Sequence, residues 1–431
     1  MESPRPRPAR GPTRRRVLQG ALALPGALAM EGLRPSPLER LRLGIVGVSG
    51  RGAANLQAVA HEEIAALCDV DARLLEAAAG SFPGARTFRD FRDMIASVEL
   101  DGVVVSTPDH THFPAAQTAL EAGLPVYCEK PLTRDLRECR TLQELAAARG
   151  VATQMGTQIH ASENYRRVVE QVRSGLLGRI RRASAWVGKA WGGGERPPET
   201  PPVPEWMAWD LWLGPAPERP YHSVYHTGGQ WRRFWDFGGG TLADMGCHLL
   251  DLVFWALELR YPSGVEAENP KPHPETAPTA MHCRWDFPGP GGTALEVHWY
   301  DGGLRPPALK EVPELPEWGM GVLFEGEEGY LLADYGRWIG LPAERFRDAG
   351  EPAERIPPSP GHHREWLDAI RGGPAPLCRF GYAGPLTETV LLGNVAWRAG
   401  GAVAWDGPGL RITGGPEGAR ELVARPPREG W

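Results

Sequence analysis

Between Leu41 and Gln158, short apolar runs alternate with helical stretches, and this alternation leaves few folds open. "LRLGIVGV", "EIAALCDV", "DGVVVSTP", "PVYCEKP" and "VATQMGTQ" read as strands. "RGAANLQAVA", "DARLLEAAAGSF", "HFPAAQTALEAG" and "TRDLRECRTLQELAAARG" read as the helices between them, the last two stopped by Gly123 and Gly150. Strands that are apolar on both sides must be covered on both faces, which demands a parallel sheet between layers of helix. The pattern predicts a doubly wound α/β sheet, with ligands at the carboxyl ends of its strands.

The first crossover carries a nucleotide signal. "GIVGVSGRG" follows a strand and opens a helix, the context in which a glycine-rich turn brings backbone N–H groups to a pyrophosphate. Gly47 supplies the tight turn and Gly52 the close approach of helix to strand, while Ser49 stands where the middle glycine of GxGxxG is usual. Gly50 and Arg51 complete the loop. Asp69 lies 22 residues after Gly47, at the end of the second strand. A carboxylate there accepts from ribose hydroxyls and repels a 2′-phosphate, so NAD is expected in preference to NADP.

After residue 160 the texture changes. In "MHCRWDF", Met281, Cys283, Trp285 and Phe287 alternate with His282, Arg284 and Asp286, the pattern of an antiparallel strand with one polar face. The chain, at 431 residues, is too long for one ordinary core. We therefore divide it into a nucleotide-binding domain over 41–160 and a substrate and oligomerisation domain over 161–431, with the exposed sheet face as the expected contact between subunits. The proline-rich loop 190–230 has no periodicity and is expected to shape the substrate pocket.

Residues 1–29 carry six arginines against Glu2, then the apolar run "ALALPGALA" and a small-residue end at Ala27–Ala29. This reads as a removable signal followed by a linker over 30–40. The run is too short to span a bilayer. Its Arg14-Arg15 pair, with Val17-Leu18, resembles a twin-arginine signal, which predicts export to the periplasm or cell envelope of a folded protein with its cofactor aboard. A net charge of −6 gives no footprint for nucleic acid. The six cysteines show no metal-ligand spacing, so free thiols and no metal are expected.

"GGGTLADMGCHLLD" opens a greasy helix with Thr241 in the expected N-cap position. Asp244 and His248 lie one turn apart on one face of it. Cys247 diverges from His248 by about 100° and reads as a buried hydrophobe.

"STPDHTH" (106–112), "CEKPL" (128–132) and D-x-x-x-H (244–248) together resemble the Gfo/Idh/MocA oxidoreductases. "HHREWLDAIRGG" and "YAGPLTETVLLGNVAWRAG" resemble a bacterial branch whose members often carry twin-arginine signals. The resemblance implies a Rossmann domain and a C-terminal α/β domain with a large open, mostly antiparallel sheet. It also implies NAD(P)-dependent chemistry on a sugar, a cyclitol or a derivative. Carried over, Lys130, Asp244 and His248 are the catalytic residues, and Thr107, Pro108, His112 and Glu129 lie with Lys130 along the cofactor. His248 is then the base for a hydroxyl proton, and Lys130 steadies the reacting oxygen. Tyr165, Arg166, Trp231 and Arg232 are expected to touch substrate. Two other functions fit the same residues less directly: an NAD-dependent glycoside hydrolase or lyase that oxidises transiently, and a non-catalytic sugar sensor. Replacing Arg14 and Arg15 with lysines should trap the unprocessed chain in the cytoplasm; efficient export of that variant, followed by fractionation and blotting, would refute the signal.

Overall fold

In the computed structural model, which describes residues 40–267, 272–289, 294–352 and 355–431, the apolar runs close into one six-stranded parallel sheet. The expected signal over 1–29 and nearly all of the linker lie outside the described residues. The strands are β1 (Arg42–Val46), β2 (Glu63–Cys68), β3 (Arg86–Phe88), β4 (Gly102–Val105), β5 (Val126–Cys128) and β6 (Thr153–Met155). Their spatial order is β3-β2-β1-β4-β5-β6, the doubly wound order expected. β3 escapes the sequence pattern because it is three residues long and none of them is fully buried.

Local chemistry sets the helix limits. Asp71 accepts from the Arg73 and Leu74 N–H groups at the start of helix Ala72–Ser81. Asp135 does the same from Glu138 N–H for helix Leu136–Arg149, which ends on Gly150 at φ +64°. One face of the sheet buries Leu43, Ile45, Val104 and Tyr127 against Leu56 and Leu75, and against Trp366, Leu367 and Ile370. Those last three come from helix His362–Ile370, far along the chain.

The remaining strands form a nine-stranded sheet. They are β7 (Ile180–Val187), β8 (Gly264–Ala267), β9 (His282–Pro288), β10 (Ala294–Tyr300), β11 (Met320–Gly326), β12 (Gly329–Ala333), β13 (Trp338–Leu341), β14 (Val403–Asp406) and β15 (Arg411–Gly414). Only β7 and β10 pair in parallel; the other pairings are antiparallel. In β9, Cys283, Trp285 and Phe287 are buried while His282, Arg284 and Asp286 are half-buried on the other face, as the alternation requires. The outer face is less open than expected, because Ala308, Leu309 and Leu315 cover Trp186, Tyr300, Leu323 and Leu332.

Helix Gly240–Leu257 is buried along nearly its whole length. It starts two residues earlier than Thr241 as N-cap would allow: Gly239 holds the cap without a side-chain bond. Thr241 Oγ1 instead accepts from the Trp191 N–H at 2.7 Å. All six cysteines are buried free thiols, and no described helix is long and apolar enough to cross a membrane.

At the first crossover, Gly47 has φ +84°, and a Cβ on Gly52 would stand 2.1 Å from the Gly47 carbonyl oxygen. The neighbour is backbone, so it has no side chain to swing away. Gly52→Ala should cost about 1–3 kcal/mol of stability through overpacking and weaken nucleotide binding. Thermal denaturation with and without NAD checks both, and an unchanged melting temperature would contradict the packing.

Candidate active site

Four loops at the carboxyl ends of β1, β2, β4 and β5 meet where the strand order reverses, and a cleft of about 760 Å³ opens there. The loop after β1 contributes Gly47, Ser49, Gly50 and Arg51 to its wall. Gly50 caps helix Arg51–Ala58 without a side-chain bond, and nothing lies within 4 Å of where its Cβ would be. This leaves an open backbone cradle at a helix start, suited to a pyrophosphate. Gly52 sits behind the wall and permits the packing.

Asp69 follows β2 and lines the cleft. Its Oδ2 accepts from Val48 N–H and its Oδ1 from Asp71 N–H, both at 3.0 Å. Burial raises its pKa, and the two backbone donors oppose that shift. The carboxylate is therefore held rigidly where a ribose edge would meet it. The cleft size, the cradle and this carboxylate fit a dinucleotide.

Thr107 and Pro108 follow β4, and Glu129 and Lys130 follow β5. His112 joins the two loops: Nδ1 lies 2.7 Å from Pro131 O and Nε2 2.8 Å from Thr107 O. Burial pushes its pKa down to about 4. It is a wall residue whose single N–H, in the neutral ring, donates to one of these two backbone carbonyls. Glu129 Oε1 accepts from Asn55 Nδ2 at 2.9 Å and Gln158 Nε2 at 2.7 Å, so it braces the turn from beneath.

The reaction end is built around Asp244. Its Oδ1 accepts from Lys130 Nζ at 2.8 Å and from Arg232 Nε at 3.0 Å, and its Oδ2 from Trp191 Nε1 at 2.8 Å. Burial would raise its pKa, but the charges of Lys130 and Arg232 outweigh that and hold it well below the usual carboxylate range. Lys130 Nζ also donates to the Asp244 carbonyl oxygen at 2.8 Å. Two of its three N–H groups are thus fixed and one remains. His248 lines the same cleft, and among the described residues no hydrogen bond joins it to Asp244. Burial, then the Lys130 charge, keeps its pKa well below 6.5. The imidazole is neutral.

Two expected substrate contacts are absent from the cleft. Tyr165 is fully buried, and its hydroxyl donates to the His248 carbonyl oxygen at 3.3 Å. Arg166 is buried behind it, paired with Glu365 at 2.8 Å. Both sit on the inward side of helix Glu163–Arg173, where a long side chain braces neighbours rather than a ligand. Trp231 and Arg232 do line the cleft. Residues that motif reading missed include Asp109, Lys189 and Trp191. Asp109 lies within "STPDHTH", and Trp191 in the loop expected to shape the pocket.

That loop forms a strap over 206–237 with its own aromatic core of Trp209, Trp212, Tyr221, Tyr225, Phe234 and Phe237. It is tied to the segment after Asp69. Ala72 N–H donates to Trp206 O and Ala208 N–H to Val70 O, both at 2.9 Å. The Arg73 guanidinium lies 3.4 Å over the Trp206 ring. Arg428 Nε donates to Gly214 O at 2.6 Å, and Trp431 completes the wall under Arg92.

Comparison with known proteins agrees with this architecture. Residues 41–157 match the model of an oxidoreductase family with an NAD-binding Rossmann fold, and residues 163–293 match that family's C-terminal alpha/beta domain. The rhizopine catabolism protein MocA of Rhizobium meliloti is 29% identical over 221 residues, 51% of this chain and 57% of that protein. An inositol 2-dehydrogenase of Corynebacterium glutamicum is 38% identical over 109 residues, 24% of this chain and 32% of its own length. The chain thus spans 57% or less of these curated relatives. Among solved structures, the WlbA dehydrogenase of Bordetella pertussis with NADH and UDP-GlcNAcA aligns at TM-score 0.63 and 18% identity, over 85% of this chain and 99% of that one. The aldose–aldose oxidoreductase of Caulobacter crescentus aligns at 0.58 and 17%, over 85% and 100%. At these identities the two structures share the fold.

Asp69→Ala should weaken NAD binding and narrow its preference over NADP, because the repulsive carboxylate is gone. Calorimetric titration of both nucleotides checks this, and tighter binding of NADP by the unsubstituted protein would overturn the ribose assignment.

Proposed function

The chain belongs to the Gfo/Idh/MocA oxidoreductase family, and we propose that it is an NAD-dependent dehydrogenase or reductase acting on a CH–OH group of a sugar, a cyclitol or a derivative. The observation that carries this reading is the Lys130–Asp244 pair at 2.8 Å, in one cleft with a neutral His248 and an open dinucleotide cradle. A bound nicotinamide supplies the acceptor or donor for hydride. Asp69 and the loop after β1 hold the nucleotide. His248 takes the hydroxyl proton during oxidation, which requires the imidazole to be unprotonated. The remaining N–H of Lys130 donates to the reacting oxygen as negative charge develops there. Asp244 acts through its partners: both its oxygens are occupied, so it is a positioning residue that fixes Lys130 and Arg232.

The strap supports a second element of the reading, a retained cofactor. Its bonds to Val70 and Ala72 and the stack of Arg73 on Trp206 lie directly after Asp69, where they would restrain release of a nucleotide held there. A retained cofactor suits a protein exported folded, and it suits both internal recycling between two substrates and an oxidation–elimination–reduction route on a glycoside. Intact Lys130, Asp244 and His248 disfavour a mere sensor.

His248→Ala should lower kcat on the order of 10²–10⁴ while leaving nucleotide binding in place. The unsubstituted enzyme should hold its activity down through pH ~6.5, the ordinary imidazole value, and lose it only as pH falls through the depressed pKa of His248. The alanine variant should lack that acid limb. Assays run with and without added NAD, on a polyol alone and on an aldose with a ketone acceptor, separate exchanged from retained cofactor. Normal turnover by a folded His248→Ala protein would retire the catalytic assignment.

A further inference from the structure

The substrate half of the cleft carries more positive charge than its own acids neutralise. Lys130, Lys189 and Arg232 all converge on Asp244. The carboxylate already accepts from Lys130, Arg232 and the Trp191 indole. Lys189 Nζ stands 3.9 Å from Oδ2, beyond hydrogen-bond reach, and among the described residues its one close polar neighbour is Met245 Sδ at 3.4 Å. The other acid on this side, Asp109, is pushed up to about 7 by burial, so near neutrality it supplies only part of a charge. Arg232 gives its Nε to Asp244 and lies 4.3 Å over the Trp231 ring. Among the described residues its terminal nitrogens meet no acceptor, although its side chain is only 25% exposed.

Two cations with unused donors, set beside two indoles in one cleft, want a particular kind of ligand. A planar guanidinium and an ammonium together bind a carboxylate or a phosphate through charge-assisted hydrogen bonds. Tryptophan faces offer a flat apolar surface to the C–H side of a sugar ring. We propose that the substrate is an anionic sugar or cyclitol derivative, whose carboxylate or phosphate is held by Lys189 and Arg232 while its ring lies against Trp231. This rests on the reading of Lys130 and His248 as the reaction end of the cleft. Lys189, 53% exposed at its side chain and placed just after β7, is then the residue that selects for charge.

The test uses the full NAD-loaded protein and three probes: D-glucuronate, D-glucose 6-phosphate and D-glucose. Calorimetric titration at low and high salt reads binding without requiring turnover. A charge-assisted contact predicts that at least one of the two anions binds ~10-fold or more tighter than glucose, with the margin shrinking as salt rises. Which anion wins tells carboxylate from phosphate. Lys189→Met keeps the stem and should collapse that margin; Lys189→Arg should restore most of it. Glucose binding as tightly as both anions, an unchanged ratio in Lys189→Met, or binding of none of the three would overturn the proposal. An anion preference in a protein whose folded His248→Ala variant turns over normally would sink the dehydrogenase reading and leave the anion site standing.

Discussion

The ion pair between Lys130 and Asp244 joins two residues that lie 114 positions apart in the chain. Lys130 stands at the end of a strand in the parallel sheet, and Asp244 sits on a buried helix packed against the mixed sheet. Both side chains are about nine-tenths buried. Breaking such a pair by removing one partner typically costs about 3–5 kcal/mol, because the other charge is left in a poor solvent. The pair therefore does more than bring a lysine to the cleft. It ties the loop after β5 to helix Gly240–Leu257, and Arg232 and Trp191 bond to the same carboxylate.

The helix that carries Asp244 is itself held from behind. Asp251 lies on the same face, one further turn beyond His248. Its carboxylate lies 2.9 Å from His160 Nδ1 and accepts from the Tyr382 hydroxyl at 2.8 Å. Tyr165 ties down the His248 carbonyl. Asp244, His248 and Asp251 thus form a row on one face, the outer two members bonded to opposite surroundings. The imidazole between them has its pKa set mainly by burial and the Lys130 charge.

How much of this could be read from the chain depends on the range of the interactions concerned. The parallel sheet was legible because unbroken apolar runs such as "GVVV" have one physical solution. The glycine loop was legible because turn geometry acts over a few residues, and Asp69 because it closes the second strand beside that loop. D-x-x-x-H was legible as a helix face. Tyr165 and Arg166 misled, because an arginine or tyrosine near a helix start looks the same in sequence whether it faces a ligand or a neighbouring helix. Thr241 misled for a similar reason: its hydroxyl had a better donor in Trp191, fifty positions away. Lys189 carries no local pattern at all. Its meaning comes from Asp244 and Met245, to which only the tertiary fold brings it near.

The return of helix His362–Ile370 to the first sheet has a consequence for how this protein comes into being. Trp366, Leu367 and Ile370 complete the cover over Leu43, Ile45, Val104 and Tyr127, and a Cβ on Gly102 would stand 3.0 Å from the Trp366 ring. During synthesis, the strands that cradle the nucleotide leave the ribosome some two hundred residues before the helix that seals them. Throughout that interval the part of this face that Leu56 and Leu75 do not cover lacks its Trp366, Leu367 and Ile370 partners. The first sheet therefore completes its packing late, near the end of translation rather than with the segment that forms its strands.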